Sequence, residues 1–173
     1  MAHNRCEWGA RMQPLVVLKL LALLTVANGT PVIVKNILRH RFSRPLDGGL
    51  RFVDGRPLFG SSKTIRGIVL SVLVTTACAP VFGLAWEIGI LVGSTAMAGD
   101  LLSSFLKRRI KLPAEGMATG LDQVPESLLP FLACRSSLSL TAIDIAAGVV
   151  IFFLCSILFS GLLYKLRLRD RPY

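Results

Sequence analysis

Histidine is nearly absent from this 173-residue chain, and acidic residues are few: two histidines and ten Asp plus Glu stand against twenty Lys plus Arg. His3 and His40 flank the first apolar segment and so fall on opposite sides of it, which excludes a histidine-built metal or haem site. No G-x-S-x-G sequence occurs, and with it goes serine chemistry on a nucleophile elbow. The four cysteines make no disulfide framework, because Cys78, Cys134 and Cys155 lie inside apolar segments, where they read as small packing residues. A Pro/Gly/Ser-rich linker, a low-complexity tract and an internal repeat are all missing, so the reading is one domain over residues 1–173.

What the chain does have is apolar length. Hydrophobic residues make up 53% and charged residues 17%, with a mean hydropathy of +0.61, which places it among membrane proteins. The predicted fold is an all-α integral membrane protein of about five transmembrane helices, at about 13–34, 67–83, 86–106, 124–141 and 144–164. Pro14 to Ala27 before Asn28-Gly29 has the outline of a signal peptide. The apolar run resumes after Pro31 and a basic block follows it, which favours an anchored helix.

The net charge of +10 falls in three blocks that alternate with the apolar segments, a topological pattern and not a nucleic-acid surface. By the positive-inside rule all three blocks face the cytoplasm. The N-terminus is then outside, the C-terminus cytoplasmic, and two long cytoplasmic loops cover about 35–66 and 107–123. The expected location is the cell (inner) membrane, multi-pass, with the unusual chemistry at its cytoplasmic face.

Asp100, Ser103, Ser104, Lys107 and Arg108 recur at helical spacing and share one face at the end of the third span. Asp100 lies about 10 Å before the basic cluster, and a carboxylate there costs on the order of 2.5–3.5 kcal/mol unless it is paired, wet or metal-bound. Asp122 follows a loop that passes through Gly116 and Gly120, which lets it fold back toward Asp100. Two acids from different helix ends suit Mg2+, which takes one or two carboxylates and completes its shell with water and phosphate oxygens. Asp122 also reads as an acid that favours the dipole of the fourth helix. In Pro57 to Gly67 a Gly60-Ser61-Ser62 turn meets Lys63, Thr64 and Arg66 at the start of span two. This is not a Walker A sequence, but hydroxyls, cations and helix N-terminal N–H groups make an anion site. Asp47-Gly48-Gly49 orders the same loop, with Arg51 and Arg56 in reach of phosphate. Arg135 either snorkels outward or pairs with Asp144, and Thr141 with Asp144 has capping-box spacing.

Six stretches resemble the CDP-archaeol synthase family of integral-membrane CTP-transferases, relatives of the CDP-diacylglycerol synthases. They are Asn28 to Val32, Pro45 to Gly49, Gly60 to Gly67, Ala98 to Leu101, Ser104 to Arg109 and Gly120 to Gln123, in family order. Met117-Ala118-Thr119 departs from the proline-containing turn common in that family. The resemblance implies cytidylyl transfer from CTP to a membrane lipid phosphate, giving a CDP-lipid and pyrophosphate. It implies Mg2+ on Asp100 and Asp122, with Lys107 and Arg108 as catalytic cations. Lys63, Arg66, Ser62, Thr64, Asp47, Gly48, Gly49, Ser104 and Gln123 then fall to substrate. Partners are CTP, a lipid phosphate and the bilayer, with no nucleic acid. The rivals are a synthase for ester-linked diacylglycerol phosphate and a small transporter or scaffold without enzymatic activity.

Overall fold

A computed structural model describes residues 12–38, 44–60, 62–111 and 120–165, with side chains as far as Leu158. Ser61, Gly116, the cationic stretch 39–43 and the tail from 166 onward lie outside the described residues. Among the described residues five α-helices follow one another: α1 (Pro14–Leu38), α2 (Ile65–Cys78), α3 (Trp86–Arg109), α4 (Gln123–Ala133) and α5 (Ala142–Lys165). A short 3-10 turn, Pro80–Phe82, follows α2. Among the described residues there is no β-strand, and two isolated bridges, Pro45 with Thr64 and Arg51 with Pro57, pin the loop between α1 and α2.

Among the described residues three segments are long and apolar enough to cross a membrane: α1, α2 with its continuation to Phe82, and α3. A shorter apolar stretch, Ala142–Leu158, opens α5. Large apolar side chains face outward on these helices, among them Leu15, Leu18, Val69, Leu73, Ile90, Val150 and Leu154, as lipid contact requires. α4 departs from expectation. The expected span runs to about 141, but the helix stops after 11 residues, a rise of about 16 Å. The chain then folds into turns in which the N–H groups of Leu138 and Leu140 donate to the carbonyls of Cys134 and Arg135. Arg135, Ser136, Ser137 and Ser139 are exposed in these turns, while Cys134 and Leu140 stay buried.

Packing depends on small residues. Lipid gives helices no hydrophobic reason to associate, so close backbone approach has to supply the contact. A Cβ on Gly93 would lie 3.0 Å from Val72 Cα, and one on Gly89 would lie 2.9 Å from Ala79 Cβ, which brings α3 against α2. Ser71 on α2 donates to the Ala27 carbonyl of α1 at 2.6 Å. Val17, Leu20, Leu24 and Ala27 recur every three or four residues on α1 and are fully or almost fully buried. The result places the end of α1, the start of α2, the end of α3 and the start of α4 at one end of the bundle.

Candidate active site

The loop before α2 is held by one carboxylate. Asp47 is buried and accepts hydrogen bonds from the N–H groups of Gly49 (3.1 Å), Phe59 (3.2 Å) and Gly60 (3.0 Å). Burial opposes its ionisation, but the N–H groups of Gly60, Gly49 and Phe59 outweigh that and hold its pKa below the ordinary value. Gly48 and Gly49 have φ of +54° and +84°, left-handed conformations that a side chain at either position would disfavour. Asp47 and its two glycines thus shape the loop.

The same loop is latched to the end of α3. Arg56 does not reach outward for phosphate: its Nη1 donates to the carbonyls of Arg108 (3.1 Å) and Arg109 (3.5 Å), groups that a helix C-terminus leaves without intrahelical partners. Arg109 donates to the Pro57 carbonyl at 2.8 Å, pairs with Asp54 and lies over the rings of Phe52 and Phe105 at 4.7 and 4.8 Å. Thr64 is the N-cap of α2, its hydroxyl oxygen accepting from the Gly67 N–H at 3.3 Å. Ser62 is exposed beside it.

This latch brings Lys63 to Asp100. Its Nζ lies 2.5 Å from Oδ1 and 2.6 Å from Oδ2, so one ammonium spans the carboxylate. On the facing side Lys107 lies 2.8 Å from Asp122 Oδ1 and donates to Oδ2 at 3.0 Å. Lys107, Arg108, Ser104 and Gln123 are buried, and Arg108 sits close enough to Asp122 to feel its charge. Cations are favoured at this place by the negative end of the α3 dipole. Asp122 occupies the N-cap position of α4, yet its side chain makes no capping hydrogen bond. Its carboxylate is turned to Lys107, so assistance to the helix is not what orients it. The Gln123 side-chain oxygen accepts from the Gly120 N–H at 2.7 Å and fixes the turn into α4.

A third acid joins them. The Glu126 carboxyl is in hydrogen-bonding contact with Asp100 and within electrostatic reach of Asp122 and Lys63. Gly99 makes this possible, since a Cβ there would lie 2.6 Å from the Pro125 carbonyl carbon and 2.8 Å from Glu126 Cα. Glu126 is absent from the sequence-derived set. The available signal was its position four residues after Asp122, one helical turn along the same face. Arg135 is exposed, and Asp144 bonds instead to Thr141 and to the Gln13 N–H.

A family profile described as CarS-like CDP-archaeol synthase matches residues 81–173. The CDP-archaeol synthase of Sulfurisphaera tokodaii is 34% identical over 154 residues, covering 86% of this chain and 89% of that one. That of Thermococcus onnurineus is 37% identical over 139 residues, covering 74% and 75%. The chain belongs to the CDP-archaeol synthase family. A solved structure described as "Structural insight into an intramembrane enzyme for archaeal membrane lipids biosynthesis" superimposes with a TM-score of 0.69 at 26% identity, covering 81% of this chain and 89% of that one. CDP-archaeol synthase membership makes this bundle a membrane-embedded nucleotidyltransferase and removes the scaffold and transporter readings.

The donor set suits a hard divalent ion. Among the described residues no three His, Cys, Asp or Glu side chains form a ready cage. Mg2+ does not need one, since it keeps waters and uses one or two carboxylates with substrate phosphates. Asp122 Oδ1 is buried and has no aligned hydrogen bond, although Lys107 lies beside it. A buried acceptor in that state calls for an explanation, and a bound cation is one that fits.

Proposed function

We propose that this chain catalyses transfer of the cytidylyl group of CTP to the phosphate of an archaeol-type lipid, releasing pyrophosphate, at the cytoplasmic face of the membrane. One observation carries the reading: the end of α3 and the start of α4 bring Asp100, Asp122 and Glu126 together with Lys63 and Lys107. Asp100 and Asp122 would hold Mg2+, with Glu126 as a neighbouring acid. When bound, Mg2+ supplies Lewis-acid neutralisation of phosphate oxygens.

The reaction forms a bond between an oxygen of the lipid phosphate and the α-phosphorus of CTP and breaks the bond from that phosphorus to the oxygen bridging to the β-phosphate. No protein nucleophile takes part. A phosphomonoester has a second pKa of about 6, so the attacking group is already largely dianionic at neutral pH and needs no general base. The chain's own contribution is positioning and charge. Lys107 and Arg108, buried at the negative end of α3, stabilise charge gathering on pyrophosphate. Lys63, Arg66, Ser62 and Thr64 border the phosphate chain, while Asp47, Gly48 and Gly49 shape the loop above it. Ser104 and Gln123 line the side toward α4. The cytoplasmic orientation follows from the cationic blocks at this end of the bundle, where soluble CTP meets a lipid headgroup.

The test is incorporation of labelled CTP by purified protein with Mg2+ and a panel of ether- and ester-linked lipid phosphates. Asp100→Asn and Asp122→Asn are each expected to lower turnover by roughly 100-fold or more while the protein still inserts. Normal Mg2+-dependent turnover in both variants would overturn the assignment.

A further inference from the structure

We infer that Lys63 is a positioning residue that bars the Asp100 carboxylate to divalent cations until a nucleoside triphosphate draws the lysine away. The inference rests on the reading above that Asp100 holds a divalent ion. With Nζ at 2.5 and 2.6 Å from the two oxygens of Asp100, the ammonium occupies the ground that a cation on that carboxylate would take in either one- or two-oxygen coordination. The two cations exclude each other by charge and by volume, so an ion that binds Asp100 must expel Lys63.

Lys63 is built to leave. Its backbone is fixed, the N–H donating to the Gly60 carbonyl at 3.3 Å and the carbonyl accepting from Leu46 at 2.8 Å, while its side chain keeps 21% exposure. Movement is therefore confined to a four-carbon stem at the solvent edge. A polyanion offers the ammonium a second partner, because Lys63 adjoins exposed Ser62 and the N-terminus of α2, which attract phosphate. Once Lys63 turns to phosphate, the Asp100 carboxylate loses the ammonium that spans both its oxygens and is open to a divalent ion, so nucleotide and metal load as a unit. Lys107 covers Asp122 in the same way, at 2.8 and 3.0 Å, but with only 11% exposure it has less room to leave, so the nucleotide-driven step is assigned to Lys63.

The experiment is equilibrium dialysis of Mn2+ against purified full-length protein, with and without a saturating CTP analogue carrying a methylene between the α- and β-phosphorus. Wild type is expected to bind Mn2+ weakly alone. Lys63→Met is expected to bind it roughly tenfold or more tightly without nucleotide, the usual scale of coupling between two sites. Lys63→Arg, which keeps the cation, should restore weak binding, and the double variant Lys63→Met with Asp100→Asn should lose the gain. Nucleotide-free affinity that is unchanged or weaker in both Lys63→Met and Lys63→Gln, with each variant eluting as folded protein, overturns the inference. Asp100→Asn separates the two failures. If it abolishes analogue-dependent Mn2+ retention while Lys63→Met changes nothing, the metal assignment survives and the gate falls. If it retains Mn2+ as wild type does, the metal assignment itself fails.

Discussion

At the scale of single residues, the site depends on a side chain that is missing. Asp100 is surrounded by charge because Gly99, its neighbour, lets the backbone of α4 come closer to α3 than any Cβ would allow. The atoms in the way belong to the backbone of Pro125 and Glu126, which cannot rotate aside. Gly99→Ala therefore has to push the two helices apart, at about 1–3 kcal/mol by the usual scale of overpacking. It also carries Glu126 away from Asp100. The expected outcome is a lower melting temperature in detergent together with a fall in CTP incorporation of roughly tenfold or more, since small displacements of positioned groups are costly to rate. Glu126→Gln separates the carboxyl group from shape: thermal stability near that of wild type with reduced turnover would assign the effect of Gly99 to that carboxyl. Turnover unchanged in Glu126→Gln would assign it to helix spacing alone.

At the scale of elements, the loop between α1 and α2 behaves as one clasped unit, with Asp47 closing it from inside and Arg56 and Arg109 tying it to α3. The folded pKa of Asp47 lies below the ordinary 3.8, so the sign of its linkage follows directly. The clasp is fully present above 3.8 and is lost only as pH falls through the depressed folded value. Loop order should therefore be flat across neutral pH in the wild type. Asp47→Asn removes it at every pH, because an amide cannot satisfy three donors as a carboxylate does. The loss is on the order of 2 kcal/mol, the scale of hydrogen bonds to a charged group. Limited proteolysis between Arg44 and Gly60 should accelerate at neutral pH, and the KM for CTP should rise more than kcat falls. The clasp also marks how far sequence reading goes. Asp47-Gly48-Gly49 is legible as a turn, whereas its partners Phe59 and Gly60 lie twelve and thirteen residues on, with no periodicity to announce them. Arg56 reads from sequence as a phosphate ligand, and only the end of α3 placed beside it shows the helix cap. The long helices are legible because apolar length is what a bilayer demands, and Asp100 and Asp122 because acids there need a reason. The end of α4 is blurred in a hydropathy window, since Leu138 and Leu140 offset Arg135 and the serines that mark the turns.

At the scale of the whole molecule, the two ends of the bundle divide the work. One end carries the acids and cations described above. The other is fastened by Asp144, which is fully buried and accepts from the Gln13 N–H at 2.7 Å, from the Thr141 N–H at 2.9 Å and from the Thr141 hydroxyl at 2.8 Å. Thr141 answers by accepting from the Asp144 N–H at 3.1 Å, a capping box at the head of α5. The Gln13 bond ties α5 to the start of α1, and α1 then runs 25 residues toward the site end, about 37 Å. Asp144→Ala leaves three donors without their acceptor in a buried place, so a loss of about 3 kcal/mol is expected. Because the defect lies a full helix length from Asp100, kcat and KM per folded molecule should stay within about twofold of wild type, as for distant independent positions. Asp100→Asn should do the reverse, keeping the melting temperature and losing turnover. Measuring both quantities on both variants tests this division of the bundle. A large drop in kcat for folded Asp144→Ala would mean that the two ends are coupled through α1 or α5, and the site would then have to be treated as a property of the whole bundle.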